Sequence, residues 1–337
     1  MKALVLKKPG EAVLEQVAEP PDRGEELLLK VQMVGLCGSD LNSFRGKNPM
    51  VTFPRILGHE VAATVVEGNR QDPKLIAGVN VTMSPYTSCG KCASCRRHRP
   101  NACQFNQTLG VQRDGAMTEF ITMPADKLYA ASLSIKELCL VEPLTVGFHA
   151  AARGRVTADD TVTVFGCGGV GLGAISGCHF FGARTIAVDV DDAKLEIARK
   201  AGASHAINTR KGSLHQGLLD LTDGLGPDVV IEAIGLPETF RSAIDEVALT
   251  GRVVYIGYPK EPVTYETRLF VQKELDILGS RNALPEDFRR VIKMLEDGRF
   301  PVEDAVTEIV PMEDAPRMLK EWSDDPSRFT KIMVDLS

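Results

Sequence analysis

Four of the eight cysteines lie between positions 89 and 103, in the pattern C-x2-C-x2-C-x7-C: Cys89, Cys92, Cys95 and Cys103. Spacings this short let one loop bring four thiolates to a single tetrahedral ion, and four thiolates complete the coordination shell of a structural zinc. An iron–sulfur cluster is the main alternative. The bacterial ferredoxin pattern, however, has three residues before its last cysteine and a proline after it, whereas here the gap is seven residues and Gln104 follows. We therefore expect zinc, with free thiols as the remaining alternative.

A glycine-rich turn follows the apolar run at 161–165 and comprises Gly166, Cys167, Gly168, Gly169, Val170 and Gly171. In a G-x-G-x-x-G turn between a strand and a helix, the first glycine permits the tight turn and the second lets the backbone approach a pyrophosphate. The third allows the helix and the strand to pack closely. The next apolar run ends in Asp189, whose carboxylate can accept hydrogen bonds from ribose hydroxyls and would repel a 2′-phosphate. The pattern predicts an NAD site; the alternative is a structural turn followed by a surface aspartate.

A second metal site has scattered candidates: Cys37, His59, Glu60 and Glu142. Taken singly, each has an ordinary structural explanation as a buried thiol, a turn histidine or a solvated charge. Together they supply thiolate, imidazole and carboxylate, a set that binds zinc while leaving a position for a substrate.

The motifs GLCGSD, GHE, CGKCASCRRHRPNAC, VEPL and GCGGVG resemble, in order and spacing, the zinc-containing medium-chain alcohol dehydrogenases. The sequence is most similar to the branch that holds sorbitol, galactitol, threonine and sugar-acid dehydrogenases. The resemblance implies a split GroES-like catalytic domain with an inserted Rossmann domain and a catalytic zinc in the cleft. It also implies that Cys37, His59 and Glu142 hold that zinc, with Glu60 as an alternative or exchanging ligand, and that the protein is a homodimer or homotetramer.

This resemblance implies a reaction in which zinc lowers the pKa of the substrate hydroxyl and a hydride passes to the nicotinamide of NAD. Ser39 is the expected acceptor of the hydroxyl proton, and Lys194 resembles a lysine of the family that contacts the adenosine ribose. Asn42 stands where a histidine often ends the C-G-S-D-x-H segment, and an amide cannot relay a proton as imidazole does. Two alternatives are a non-catalytic binding protein on the same scaffold and an NADP-dependent zinc reductase of aldehydes.

Several cations raise the possibility that the alcohol carries a carboxylate. Arg45, Lys47 and Arg55 lie between two candidate zinc ligands, and Arg281 follows a predicted strand. Arginine matches a carboxylate through two parallel hydrogen bonds, so Arg45 and Arg281 are the candidate substrate contacts. The alternative is that these cations pack against the protein surface.

The elements that must position these residues predict an α/β protein. Residues 1–145 consist of short β-rich runs separated by turns, with the cysteine lobe at about 85–105. From 146 to 282, strands alternate with helices, which is typical of a parallel sheet covered on both faces. The helix of this second domain is expected to begin at Glu142, and residues 283–337 to return to the catalytic domain.

The composition excludes some classes of partner. The net charge is −6, with no long basic run, so nucleic acid and anionic membranes are not expected to bind. The apolar stretches are too short for a signal peptide or a membrane span. We expect a cytoplasmic enzyme that acts on a small alcohol.

Overall fold

The computed structural model describes residues 1–21, 24–67 and 72–337. The strands in chain order are β1 (Lys2–Lys8), β2 (Glu11–Gln16), β3 (Glu26–Leu36), β4 (Arg55–Ile56), β5 (Glu60–Val65), β6 (Asn80–Met83), β7 (Phe120–Pro124), β8 (Leu128–Ala130), β9 (Thr161–Phe165), β10 (Arg184–Asp189), β11 (His205–Asn208), β12 (Val229–Glu232), β13 (Arg252–Tyr255), β14 (Asp276–Gly279), β15 (Glu308–Pro311) and β16 (Ile332–Asp335). The helices are α1 (Gly38–Phe44), α2 (Ile135–Arg153), α3 (Gly169–Phe180), α4 (Asp192–Lys200), α5 (Leu214–Leu221), α6 (Pro237–Glu246), α7 (Arg268–Gln272), α8 (Pro285–Glu296), α9 (Val302–Ala305) and α10 (Ala315–Asp324).

The chain divides into two compact units, one formed by Met1–Glu142 with Val302–Ser337 and the other by Pro143–Pro301. This division differs from the predicted boundaries at 145 and 282. Residues 283–301, predicted to return to the first domain, pack with the second unit because α8 is tied to it. The carboxylate of Asp287 on α8 lies 2.8 Å from Nδ1 of His149 on α2, and both side chains are buried.

The first unit is built on a β-sheet in the order β15-β16-β3-β5-β6-β8, with β7 also pairing with β3. A smaller sheet, β2-β1-β4, lies in the same unit. Buried aliphatic side chains from both sheets and from α10 form one core, including Leu4, Val34, Val61, Leu319 and Val334. The long strand β3 therefore lies inside the sheet, and residues at its end are held by strands on both sides.

The second unit is a parallel sheet in the order β11-β10-β9-β12-β13-β14. Numbered within the unit, this is the 3-2-1-4-5-6 order of the doubly wound dinucleotide-binding fold, in which ligands bind where the strand order reverses, beyond the carboxyl ends of the strands. That point follows β9, where the glycine-rich turn lies. The predicted α/β class, with a β-rich unit and a doubly wound unit, is confirmed.

The helix predicted to begin at Glu142 in fact begins seven residues earlier, at Ile135. Pro143 lies inside this helix, although proline is more common at the first position of a helix. The true start is a capping box: the backbone N–H of Ser134 donates to Glu137 and the N–H of Glu137 donates to the Ser134 hydroxyl. Glu142 consequently lies within the helix, where its neighbours fix its direction.

Several short elements were missed by the sequence analysis, among them β2, β8, β11, β15, α1 and α5. Residues such as Ser39, Asp40 and Asn42 favour turns and caps over helix interiors, so the segment that forms α1 has no clear helical pattern. In the described ranges, no helix combines the length and the apolar character needed to cross a membrane.

Candidate functional site

Cys37, His59 and Glu60 are brought together by the pairing of two antiparallel strands. Gly35, near the end of β3, lies opposite Glu60, the first residue of β5. Cys37 follows β3 as the N-cap of α1, so its thiol lies beside the start of β5. One candidate ligand atom from each of Cys37, His59 and Glu60 lies within 4.8 Å of the others. Three donors that bind zinc therefore converge, although they are up to 23 positions apart in the sequence.

Asp40 lies beside Cys37 and His59. Its Oδ2 accepts a hydrogen bond from the backbone N–H of Cys37 at 2.9 Å, and its Oδ1 lies 4.0 Å from Nδ1 of His59. Both Oδ1 and Nδ1 are buried and have no hydrogen-bond partner among the described residues. Burial alone would lower the pKa of His59, but the Cys37 thiol and Asp40 raise it well above the usual range. A carboxylate that accepts a hydrogen bond from the ring commonly fixes a histidine ligand, but 4.0 Å is too long for that bond here.

Lys331 holds the Glu60 carboxylate. Its buried ammonium donates to both oxygens of Glu60, at 2.7 and 2.6 Å, and to the carbonyl of Leu36 at 3.2 Å. Lys331 directly precedes β16, whose first residue, Ile332, pairs with Leu36. Burial lowers the pKa of Lys331, but the nearby carboxylate of Glu60 outweighs that effect, and the net pKa is raised. Gly35 leaves the necessary space, since a Cβ there would lie 2.1 Å from Oε2 of Glu60.

Glu142 reaches the same region from α2. It is buried, and its Oε1 accepts a hydrogen bond from the hydroxyl of Tyr86, which is also buried. Burial raises the pKa of Glu142 to about 7, and the charge of His59 acts in the opposite direction. Burial and the neighbouring carboxylate raise the pKa of Tyr86 well above its usual range, so the phenol remains a proton donor.

Ser39 is the other polar group next to Cys37. Its hydroxyl oxygen is buried and makes no hydrogen bond within the described parts of the chain. A buried hydroxyl without a partner is costly, and such atoms often face a ligand. Asn42 lies in the following turn of α1 and is half-buried; its backbone carbonyl accepts a hydrogen bond from Lys47.

The four cysteines of the lobe also converge, with their sulfur atoms within 4.8 Å of one another. Sγ of Cys92 is 3.5 Å from that of Cys95 and 3.8 Å from that of Cys103. A tetrahedral zinc with Zn–S bonds of about 2.3 Å requires sulfur atoms about 3.8 Å apart. Backbone N–H groups point at the sulfurs, including that of Phe105 at 3.3 Å from Sγ of Cys103. The spacing and the donors therefore fit one zinc ion.

Protons are shared unevenly among these thiols. Hydrogen bonds from Ser94 and from backbone N–H groups lower the pKa of Cys92 to about 5. Burial and the neighbouring sulfurs raise the pKa of Cys95 to about 11. Because zinc binds the thiolate form, ion binding at this lobe would release the remaining protons.

In the second unit, the glycine-rich turn borders a cavity of about 570 Å³ whose lining includes Gly166, Gly168, Asp189, Lys194, Ile234 and Thr239. A Cβ at Gly171 would lie 1.8 Å from the carbonyl oxygen of Gly166, so only glycine permits this approach of α3 to the turn. A Cβ at Gly168, in contrast, would meet no protein atom within 4 Å, which leaves open space beside the backbone. Gly169 and Val170 begin α3, whose first N–H groups have no partner within the helix and can bind phosphate oxygens.

Asp189 ends β10 at this cavity. Its Oδ2 accepts the backbone N–H of Cys167 at 2.8 Å, and its Oδ1 accepts that of Val190 at 2.7 Å. These contacts fix the carboxylate beside the glycine-rich turn. Asp189 and Lys194 both line the cavity, and the second unit therefore fits a dinucleotide.

Comparison with known proteins agrees with these observations. The family model described as "Alcohol dehydrogenase GroES-like domain" matches residues 23–132, and the model described as "Zinc-binding dehydrogenase" matches residues 169–297. An uncharacterized zinc-type alcohol dehydrogenase-like protein of Haemophilus influenzae is 34% identical over 98% of both chains. Sorbitol dehydrogenase of Bacillus subtilis is 32% identical, covering 99% of this chain and 97% of its own.

This chain belongs to the zinc-containing alcohol dehydrogenase family. It is an oxidoreductase that acts on alcohols, as the sequence analysis predicts. Two crystal structures match nearly the whole of this dehydrogenase at 27% identity. An Escherichia coli CFT073 alcohol dehydrogenase (rspB) in complex with NADH has a TM-score of 0.91 and covers 100% of this chain and 99% of its own. A zinc-binding dehydrogenase of Sinorhizobium meliloti 1021 bound to NADP has a TM-score of 0.90, with 99% and 98% covered.

The cations considered as substrate contacts of the dehydrogenase have different surroundings. Arg45 donates from Nε to the hydroxyl of Ser323 at 3.0 Å and from Nη2 to its carbonyl, which ties the end of α1 to α10. Arg55 pairs with Asp114 at 2.9 Å and with Thr52 at 2.8 Å. Arg281 is exposed in the second unit, after β14, and Lys47 is exposed in the first. Arg45 and Arg55 thus already have hydrogen-bond acceptors within the first unit.

Sequence reasoning missed Asp40, Tyr86 and Lys331 as components of this site. Asp40 carries a signal, because an acid three residues after Cys37 fits a helix cap. Lys331 and Tyr86 carry none, since their contacts depend on strand pairing and on the direction of α2.

Proposed function

We propose that this dehydrogenase oxidises a secondary alcohol group of a polyol or sugar acid, with NAD as the hydride acceptor and two zinc ions per subunit. One observation carries the proposal: the side chains of Cys37, His59 and Glu60 converge within 4.8 Å, and the adjacent buried hydroxyl of Ser39 has no partner among the described residues. This combination supplies a metal-binding set and a polar group for a substrate.

In this proposal Cys37 and His59 hold the catalytic zinc, and the buried carboxylates of Glu60 and Glu142 are available as the third donor. When bound, zinc supplies Lewis acidity that lowers the pKa of an alcohol. Asp40 accepts the backbone N–H of Cys37 and places a carboxylate oxygen 4.0 Å from Nδ1 of His59. Lys331 holds both oxygens of Glu60 and restricts the freedom of that carboxylate. Cys89, Cys92, Cys95 and Cys103 hold the second zinc, whose closed shell makes it structural.

Ser39 accepts the hydrogen bond of the substrate hydroxyl at Oγ and relays the proton, releasing its own hydroxyl proton toward solvent as it takes that of the substrate. The lack of a protein partner at this buried oxygen, among the residues described, supports the role. From Ser39 the proton reaches solvent without an imidazole at position 42, because Asn42 cannot be protonated. The relay therefore differs from one that ends in histidine.

The cofactor is NAD, which accepts the hydride. Gly166, Gly168 and Gly171 form the turn for its pyrophosphate, and Asp189 with Lys194 binds the adenosine ribose. The carboxylate of Asp189 would repel the 2′-phosphate of NADP, and a like-charge contact at a binding surface costs several kcal/mol. A preference for NAD of well over tenfold follows from that cost.

The similarity to sorbitol dehydrogenase supports a polyhydroxylated substrate. A carboxylate on that substrate would need an arginine, and the sequence suggests Arg45 and Arg281 for this contact. Two donor groups of Arg45 already bind Ser323, which argues against Arg45.

A spectrophotometric screen of NADH production across neutral polyols, aldonates and threonine tests the proposal. We expect oxidation of at least one polyol or aldonate, with NAD preferred over NADP. Asp189→Ala should narrow the preference mainly by weakening NAD binding. The absence of NADH formation with every alcohol would overturn the proposed reaction, and equal efficiency with NADP would overturn the cofactor assignment alone.

A further inference from the structure

Tyr86 stands on a segment that is fixed on both sides. It follows β6, and the N–H of Ser84 donates to the carbonyl of Lys127 at 2.8 Å. The carbonyl of Pro85 accepts hydrogen bonds from the N–H of Leu109 at 3.2 Å and from Arg113 at 3.4 Å. The backbone that carries the phenol is therefore held by two later segments of the first unit, 109–113 and Lys127.

The four-cysteine lobe adds a further restraint just after Tyr86. The hydroxyl of Thr87 accepts the N–H of Gln107 at 2.7 Å, and the N–H of Cys89 donates to Sγ of Cys103 at 3.4 Å. Tyr86 is thus three residues before the first cysteine of the lobe, at the point where the lobe closes.

The hydroxyl of Tyr86 makes one specific contact, and the proposed function assigns no role to it. This hydroxyl donates to Oε1 of Glu142, and both side chains are buried, at 6% and 3% exposure. The two carboxylates have different donors. The ammonium group of Lys331 binds both oxygens of Glu60, whereas Glu142 accepts its hydrogen bond from the neutral phenol of Tyr86. The hydrogen bond to Tyr86 therefore fixes the direction of Glu142 without neutralising its charge.

We propose that Tyr86 is a positioning residue that directs the carboxylate of Glu142 toward the centre formed by Cys37 and His59. This inference rests on the proposed function of that centre. A side chain that hydrogen-bonds a metal ligand can be removed by mutation. Such a change typically lowers metal affinity or activity by about 10- to 100-fold. Tyr86 acts through Glu142 and contacts neither substrate nor cofactor.

The test is Tyr86→Phe in the full-length enzyme, with Co²⁺ in place of the catalytic zinc and zinc kept in the four-cysteine lobe. We expect the visible d–d bands of Co²⁺ to shift and the Co²⁺ affinity to fall about 10- to 100-fold. We expect kcat for the best alcohol to fall over the same range, with the KM for NAD unchanged. The matched control is Tyr255→Phe, which removes a hydroxyl that donates to the carbonyl of Phe240 in the second unit and should leave the Co²⁺ spectrum as in the wild type.

Glu142→Gln and the double variant Tyr86→Phe/Glu142→Gln complete the cycle. If Tyr86 acts through Glu142, the loss of the hydroxyl should change the Co²⁺ affinity by less than about twofold once Glu142→Gln is already present. In the double variant, residue 142 is a neutral amide, so no buried carboxylate loses the hydrogen bond from Tyr86. The double variant therefore remains informative if Tyr86→Phe alone does not fold.

An unshifted spectrum with unchanged affinity in Tyr86→Phe would overturn the inference, as would an equal loss with and without Glu142→Gln. Neither result would touch the proposed function, provided that the wild type oxidises an alcohol. A wild type that produces no NADH and binds no metal at Cys37 and His59 would overturn the proposed function instead.

Discussion

The four-cysteine lobe and the Cys37 centre are two groups of metal-binding side chains in one unit, and they are assembled in opposite ways. The lobe takes all its donors from residues 89–103, and backbone N–H groups of the same loop point at its sulfurs. The Cys37 centre takes Cys37 from the end of β3, His59 and Glu60 from the start of β5, and support from Lys331 at the C-terminal end of the chain. With zinc bound as proposed, the lobe would depend on its ion to hold a loop, whereas the Cys37 centre depends on the pairing of strands in the sheet.

We expect the largest difference in folding and activity between two variants that each lose one donor, Cys95→Ser in the lobe and His59→Ala at the Cys37 centre. Cys95→Ser opens the closed set of thiolates, and because zinc binding there is coupled to folding, we expect insoluble or heat-labile protein. His59→Ala should give folded protein that retains one zinc and loses activity by about a thousandfold or more, since Lewis acidity contributes several kcal/mol. Soluble yield, thermal unfolding and elemental analysis measure the contrast. One zinc in the wild type, or iron in the lobe, would contradict it.

The support at the Cys37 centre should be measurable as stability. Lys331→Met leaves the buried Glu60 carboxylate without its cation, and breaking a buried pair in this way costs about 3–5 kcal/mol. Lys136→Met is the matched control, because Lys136 pairs with the exposed Glu303 and such pairs contribute about 0–1 kcal/mol. Urea unfolding of the zinc-loaded enzymes gives both values. If the two variants are equally stable, Lys331 does not hold the centre.

A smaller effect is expected from a change that adds a single methyl group. Gly35→Ala would place Cβ 2.1 Å from Oε2 of Glu60, which Lys331 prevents from moving freely. Overpacking of this kind costs about 1–3 kcal/mol, and we expect a parallel loss of activity. Gly212→Ala has no atom within 4 Å of the new Cβ and should leave stability the same or slightly higher. Equal urea midpoints for the two alanine variants would show that Glu60 has room to move.

The same contrast explains what the sequence could predict. The lobe and the glycine-rich turn are short motifs whose spacing carries their geometry, so the sequence alone predicts that Cys89–Cys103 converge and that Gly166–Gly171 form a turn before a helix. Cys37 and His59 came from the family resemblance, because no local pattern states that Gly35 will lie opposite Glu60. Lys331 has no signal in the sequence because its contact with Glu60 requires β16 to pair with β3. Tyr86 has none because its contact depends on the position of Glu142 within α2, which the sequence analysis places at the start of a helix.

Arg45 shows that a hypothesis from sequence position can also suggest a contact that the fold does not favour. Its position between two donors suggested a substrate contact, yet the fold uses two of its N–H groups on Ser323. Charge and position in the chain do not reveal whether a guanidinium already has a protein acceptor, and arginine side chains often bind carbonyls at helix ends.

The pairing of Gly35 with Glu60 also has a consequence for how such an enzyme can diverge. The two donor segments are joined by the sheet, so residues 46–54, between α1 and β4, connect them without setting their distance. This connection can change in length and composition while the donors stay in place, because loops tolerate insertions far better than paired strands do. A single-residue insertion in β3, in contrast, would turn the alternating side chains to the other face. The pairing of β3 with β5 must therefore stay the same, whereas the connection between the donor segments can vary as the enzyme acquires new substrates.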